Sequence, residues 1–409
     1  MNEKGSNHQL LKRNNHNLIK KHIYLHSPIS RVEIAQQLEL TTATITGMVT
    51  PMIHAGLLRE SAASAEETKG AGRPRMMLEF VSDAHYICGI DVGPYQTNFI
   101  VTDLLGKTVA ARHTDQPLDE YHVTLERLSR QIPAFLEQSG IPREKLLGVG
   151  VSLPGMIDGS VDKIYEIFHV GWAGRSFSAE LGSRLGLKVE VENNVRARAI
   201  GAELFDRIVK AEPFAYFFVS YGVACQMIID GKILYGQSAA AGEIGHTVVQ
   251  RNGPLCPTCG NRGCLEALTG ERAILQQCRD MMAPHTTTLL KTLCADPGTL
   301  TMEQVLAAQE LGDEPVGHII DEAIEYLGIA LANTINLISP RAVVLDGRIL
   351  SGPRNQARMR RVVEQYMFHV HPGTPDFTFL PGDPNRGARA AAAVVVKEFL
   401  GRSTQETKD

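Results

Sequence analysis

The chain has 409 residues, more than one ordinary domain holds, and 44% hydrophobic with 21% charged content is the balance of a folded globular protein. No stretch approaches the roughly 20 unbroken apolar residues of a membrane helix, and the polar opening Met1 to Asn17 lacks a signal-peptide core, which points to a cytoplasmic protein without membrane insertion. The net charge of −4 argues at first against nucleic acid, yet residues 1–80 hold 10 Lys and Arg against 7 Asp and Glu while the remainder holds 31 against 38, so a mildly basic head sits on an acidic body.

Three short helices come first. Leu11, Leu18, Ile19 and Ile23 give the first an apolar face, and Ser27-Pro28 breaks it. Ser30 to Glu33 reads as a capping box, with Ser30 as N-cap and Glu33 reaching back, opening a helix to about Leu38. Thr41 or Thr42 caps a third helix, in which Ile45, Met48, Val49, Met52 and Ile53 make one inward stripe. Pro51 is expected to kink that helix or end its regular part, and Gly56 to stop it. Leu57–Glu60 and Met76–Phe80 read as strands flanking a polar tip, Ser61 to Arg75, which has the form of a wing.

Short helix, tight turn and amphipathic third helix is the spacing of a helix-turn-helix. The outward face of the third helix carries Thr42, Thr44, Thr46 and Thr50, and with Thr41 at its start Thr42, Thr44 and Thr46 offer short hydroxyls suited to phosphates, base edges and thymine methyls. In the wing, Gly72-Arg73-Pro74-Arg75 places the Arg73 and Arg75 guanidinium groups on a stiff segment, which suits the narrow minor groove of A·T-rich duplex. Residues 1–80 are therefore read as an α+β winged helix-turn-helix domain that contacts a double-stranded DNA operator.

From about Ser82 the pattern turns to alternating β and α. Tyr86–Val92, Thr97–Asp103, Gly148–Leu153, Lys188–Val191, Phe214–Val219 and Gln226–Asp230 are strand candidates, and Ile319–Leu337 and Ala388–Leu400 are helices. His246, Cys256, Cys259 and Cys264 offer four soft or borderline ligands within nineteen residues, the donor set of a closed, structural Zn²⁺ site without an open catalytic position. Gly253, Gly260 and Gly263 let that loop fold back on the metal. Cys88, Cys225, Cys278 and Cys294 stand apart and read as buried thiols.

From Gly245-His246 through Cys264-Leu265-Glu266 the sequence resembles the ROK family (repressors, open reading frames, kinases), and with Gly72-Arg73-Pro74 the head is similar to that of the family's repressor branch. The resemblance departs at one place: family members usually show Cys-x-Cys where this chain has Cys256-Pro257-Thr258-Cys259, an extra residue expected to be absorbed in the loop. It implies that residues 81–409 form a sensor and oligomerisation domain of the two-lobed actin/hexokinase fold, with its zinc loop at 246–264. By the same resemblance a sugar or sugar phosphate would be held by Gly155, Asn193, Asn194, Glu243, His246 and Glu266, with His246 shared between metal and sugar.

Kinase chemistry is expected to be lost, so that no catalytic residue is assigned. ROK kinases carry an Asn-Asp pair whose carboxylate takes the hydroxyl proton; here the pair is Asn193-Asn194, and an amide is no general base. The phosphate hairpin, Asp-x-Gly-Gly-Thr in kinases, reads Asp91-Val92-Gly93-Pro94-Tyr95, the second phosphate loop, Ser220 to Gln226, keeps one glycine, and the expected Gly-Gly near the adenosine end is Asp346-Gly347. The expected function is a sugar-controlled transcriptional repressor, assembled as a homodimer or homotetramer, in which a bound effector shifts lobe closure and with it the seating of the heads. The alternatives are a ROK sugar kinase that retains ATP-dependent phosphorylation, and a repressor controlled by a sugar-transport protein partner.

Overall fold

The first helix, α1 (His8–His26), ends before Ser27-Pro28 as its sequence requires. The computed structural model describes residues 8–62, 75–167, 170–207, 213–282, 286–368 and 373–401. Ile19, Ile23 and Tyr24 of α1 are fully buried, whereas Leu11 and Leu18 are 48% and 47% exposed. The apolar face expected at all four aliphatic positions is thus corrected: the inward stripe runs through Ile19, Lys20, Ile23 and Tyr24 and leaves Leu11 and Leu18 outside it.

After β1 (Ile29–Ser30), α2 (Arg31–Gln37) is capped by Ser30 with the reciprocal Glu33 bond of a capping box. Helix α3 (Thr42–His54) is capped by Thr41 and buries Ile45, Val49 and Met52. It does not end at Pro51 but continues to His54. A proline ring crowds the carbonyl four residues back, and that carbonyl belongs to Gly47, whose Cα has open space around it. Gly56, at φ +71°, then turns the chain into β2 (Leu58–Ala62), which pairs antiparallel with β3 (Met76–Phe80); β3 also pairs with β1. The wing tip lies outside the described residues apart from Ser61, Ala62 and Arg75.

A five-stranded sheet follows, in the order β10-β7-β4-β5-β6. Its strands are β4 (Tyr86–Val92), β5 (Thr97–Asp103), β6 (Thr108–Thr114), β7 (Leu146–Leu153) and β10 (Val189–Asn193), with β4 to β6 an antiparallel meander and β7 and β10 parallel to β4. A short hairpin, β8 (Met156–Asp158) and β9 (Lys163–Glu166), precedes β10. One face is covered by α4 (Tyr121–Ser139) and α5 (Phe177–Leu185), through Leu125, Leu128, Ile132 and Phe177. The other face carries α6 (Asn194–Leu204) and the C-terminal helix α13 (Arg386–Leu400). Helix α13 lies so close that a Cβ at Gly89 or Gly150 would be driven into its backbone at Ala388 or Ala391.

A second sheet, β13-β12-β11-β14-β15, is built from β11 (Phe214–Val219), β12 (Val223–Ile229), β13 (Lys232–Ile233), β14 (Ala342–Asp346) and β15 (Asp376–Phe379). It repeats the plan of the first, an antiparallel meander joined to parallel strands. Around it lie α7 (Leu265–Thr269), α8 (Glu271–Met281), α9 (Leu290–Leu293), α10 (Met302–Glu310), α11 (Glu314–Ile338) and α12 (Pro353–Tyr366), with a core that includes Phe217, Ile320, Leu327 and Leu345. Cys88, Cys225, Cys278 and Cys294 are buried free thiols.

By packing, Met1–Arg207 with Asn385–Asp409 make one compact unit and Ile208–Pro384 the other. The winged head thus shares a unit with the first sheet. Lys20 Nζ donates to the Phe399 carbonyl at 2.5 Å and the Tyr24 hydroxyl to the Leu104 carbonyl at 2.8 Å. Lys21 pairs with Glu203 at 2.8 Å, and Arg207 donates to the carbonyls of Tyr24 and Ser27 at 3.1 and 3.4 Å.

Candidate functional sites

The DNA-facing residues proposed for the head fall into three groups. Thr41, Thr42 and Thr46 are exposed at the start of α3, where the helix dipole favours a phosphate. Thr44 is half-buried and tied to the cap: its backbone N–H donates to the Thr41 hydroxyl oxygen at 3.2 Å, and the two hydroxyls lie 2.9 Å apart. Arg75, its side chain 64% exposed, stands at the foot of the wing 3.7 Å from Glu33, and Arg73 lies outside the described residues.

In the first unit, β10 ends at Asn193 and α6 begins at Asn194, so this pair sits where a parallel strand passes into a helix. Asn193 is 5% exposed and its side chain is taken up by the fold. Its Oδ1 accepts from the N–H groups of Val195 and Arg196 at 2.9 and 3.1 Å, and its Nδ2 donates to the Gly155 carbonyl at 2.8 Å. Asn193 therefore caps α6 and ties the Gly155 turn to it, and Asn194, half-buried, is the first residue of that helix. Beneath the junction, Arg196 and Glu192 form an ion pair at 2.8 Å with side chains 1% and 3% exposed.

In the second unit, Glu243 precedes a single 3₁₀ turn, Ile244–His246, and Glu266 lies in the first turn of α7. His246 and Glu266 are linked through the loop between them. His246 Nδ1 lies 3.7 Å from Cys256 Sγ, and Cys259 Sγ lies 3.5 Å from Cys264 Sγ. The four ligand atoms fall within 4.8 Å of one another. A tetrahedral metal with arms of about 2.3 Å has ligand–ligand edges of roughly 3.8 Å, so these residues fit a metal ion. Burial and the neighbouring sulfurs push the Cys264 thiol above its ordinary pKa, a cost that a bound cation reverses by taking the thiolate. The loop can close because Gly263 takes φ +75°, where a side chain would strike the Gln250 carbonyl.

The loop takes up the extra residue between the first two cysteines, since the four ligand atoms still converge. Of the two residues between them, Thr258 places its hydroxyl 2.8 Å from Glu266 Oε1. The altered spacing is visible in the sequence, whereas the partner of Thr258 is fixed only by the folded loop.

The two segments read from sequence as the nucleotide side fall at the turns of two antiparallel strand pairs, β4 with β5 and β11 with β12. Val223 to Gln226, read from sequence as part of a phosphate loop, already belong to β12; Val219 faces Val223, and the turn between is closed by Ser220 N–H donating to the Gly222 carbonyl at 2.9 Å. At the other hairpin, Asp91 pairs with Arg198 at 3.5 Å and accepts from the Ser152 hydroxyl, while Tyr95 is 55% exposed.

The ROK family model matches residues 87–398. The chain belongs to the ROK family. This ROK protein is 28% identical over 397 residues to the xylose repressor of Bacillus subtilis (strain 168), covering 96% of this chain and 98% of that one. A solved ROK family transcriptional regulator, described as a homolog of the Escherichia coli MLC protein, superposes with a TM-score of 0.80 at 24% identity over 96% of this chain and 97% of that one. A ROK family glucokinase from Streptomyces griseus, solved with glucose and AMPPNP, gives a TM-score of 0.67 at 20% identity and spans 98% of its own chain but 76% of this one. The architecture is thus a winged helix-turn-helix head on an actin/hexokinase-like body. Among the described residues no helix is long and apolar enough to cross a membrane.

Proposed function

We propose that this ROK protein is a DNA-binding transcriptional repressor of carbohydrate genes, controlled by a sugar or sugar phosphate that its body binds and does not phosphorylate. The observation that carries the reading is helix α6. It starts at the Asn193-Asn194 pair and ends beside the head, where Glu203 pairs with Lys21 and Arg207, just past the helix, donates to the carbonyls of Tyr24 in α1 and of Ser27 just after it. A packed helix of 11 residues, about 16 Å long, thus joins a polyol-contact candidate to the DNA-binding domain, residues 1–80.

Polyol contacts are proposed on each unit: Gly155 and Asn194, with Asn193 organising them, on the first, and Glu243, His246 and Glu266 on the second. Carboxylate and amide groups of this kind accept and donate the paired hydrogen bonds that sugar hydroxyls require. The metal of the His246, Cys256, Cys259 and Cys264 site is proposed to be zinc, because three thiolates and one imidazole in a closed four-coordinate set favour it. When bound, that zinc fixes the loop and takes no part in chemistry. Operator contact is assigned to Thr41, Thr42, Thr44, Thr46, Arg73 and Arg75, and the working unit is a homodimer or homotetramer on the operator.

The test is a titration of the purified protein against genomic DNA fragments, including its own upstream region, with and without D-xylose, D-glucose, N-acetyl-D-glucosamine and the 6-phosphates of the last two. Site-selective, salt-dependent binding that one of these relieves by at least about tenfold is the expected result. Absence of selective binding overturns the repressor reading, and robust ADP release with ATP and the same sugars overturns the loss of catalysis.

A further inference from the structure

Thr258 stands between two metal-ligand candidates, Cys256 and Cys259, and makes their spacing one residue longer than Cys-x-Cys. It is half-buried, and its hydroxyl donates to Glu266 Oε1 at 2.8 Å. On the other side Gly222 leaves room for the second oxygen: a Cβ there would lie 3.0 Å from Glu266 Oε2. Glu266 itself follows Cys264, the N-cap of α7, by two residues. The carboxylate is therefore held at one oxygen by a donor from the metal loop, with bare backbone at Gly222 beside the other. A donated hydroxyl fixes the carboxylate plane and leaves its remaining lone pairs as acceptors.

We propose that Thr258 is a positioning residue for Glu266, and that through it sugar affinity depends on metal occupancy. With Cys256 and Cys259 both on the metal, the two-residue segment between them has little freedom, so its hydroxyl is delivered to one place. Without the metal, the segment is released and Glu266 loses its orienting partner. The inference rests on the reading of Glu266 as a polyol contact and adds the residue that aims it. Partners one step removed from a bound group typically change its affinity by about 10- to 100-fold, and the lower end applies here because Thr258 holds a single oxygen.

The experiment uses full-length wild type, Thr258→Val and Thr258→Ser, with metal content read by mass spectrometry and sugar affinity by calorimetry against the five compounds named above. Thr258→Val is expected to weaken the sugar bound by wild type about tenfold, and Thr258→Ser to restore it to within about threefold. All three proteins keep the same metal content and the same sugar-free DNA affinity. Stripping the metal from wild type lowers its affinity to that of stripped Thr258→Val, so the substitution has no further effect. Equal affinity of metal-loaded wild type and Thr258→Val overturns the proposal, as does loss of metal from Thr258→Val, or a tenfold deficit that survives stripping. A wild type that binds none of the sugars overturns the polyol reading of Glu266 and this proposal with it, an outcome distinct from a wild type that binds while its variant binds equally well.

Discussion

Lys20 is 1% exposed, its ammonium donating to the Phe399 carbonyl and lying 4.4 Å from the centre of the Phe399 ring. Burial holds its pKa down at about 8, against 10.5 for a free lysine. The folded protein therefore binds fewer protons at this site than the unfolded chain between those values, so stability rises with pH across about 8 to 10.5 and does not respond to this group below 8. The span corresponds to a contribution on the order of 3 kcal/mol. Denaturant unfolding of wild type and Lys20→Met at pH 7.5, 9 and 10.5 is expected to show wild type gaining on the variant as pH rises. A constant difference between the two proteins would show that Lys20 stays charged at its site. The sequence marked Ile19 and Ile23 as inward but not Lys20, since amphipathic patterning places lysine on the solvated face and the partner that buries it lies 379 residues away.

Helix α6 carries the element-scale argument. Arg207 adopts φ +49° just past the helix and fastens the end of α1 through two carbonyls. Arg207→Ala is expected to leave sugar affinity unchanged while cutting the sugar-induced loss of DNA affinity severalfold, and to speed amide exchange at residues 19–27 by about tenfold. Calorimetry, DNA titration and exchange mass spectrometry read the three quantities separately. Full retention of the sugar response with faster exchange would break the link between α6 and the head. The elements themselves were largely legible, because the strands Tyr86–Val92, Thr97–Asp103 and Phe214–Val219 each carry their own apolar run. Less legible was what a side chain does at a junction. Asn193 reads as a sugar contact by its place in a motif, yet both ends of its amide serve the start of α6 and the Gly155 turn. The metal cluster was readable because its ligands lie close along the chain, whereas the Thr258 bond to Glu266 depends on how the loop closes.

At the scale of the molecule, the chain divides by packing near 207 and 384, and the head shares a compact unit with the first sheet because α13 returns to cover that sheet and receives Lys20 of the head. One head presents the exposed hydroxyls of α3 and the foot of a wing. A single module of this size buries about 600–1,000 Å² on DNA, at or below the low end of most specific interfaces, and this is the ground for the proposed pairing of two heads on one operator. Symmetric pairing then sets two α3 helices about 10.5 base pairs apart, or at a multiple of that distance. Inserting 5 base pairs at the centre of the operator turns one half-site to the far side of the duplex and is expected to weaken binding at least about a hundredfold, whereas inserting 10 restores part of it. Gel titration of the three operators, with stoichiometry from analytical ultracentrifugation, checks both the pairing and its phase. Binding of one protomer per operator, indifferent to the insertion, would mean that recognition rests on the α3 hydroxyls and wing of a single head.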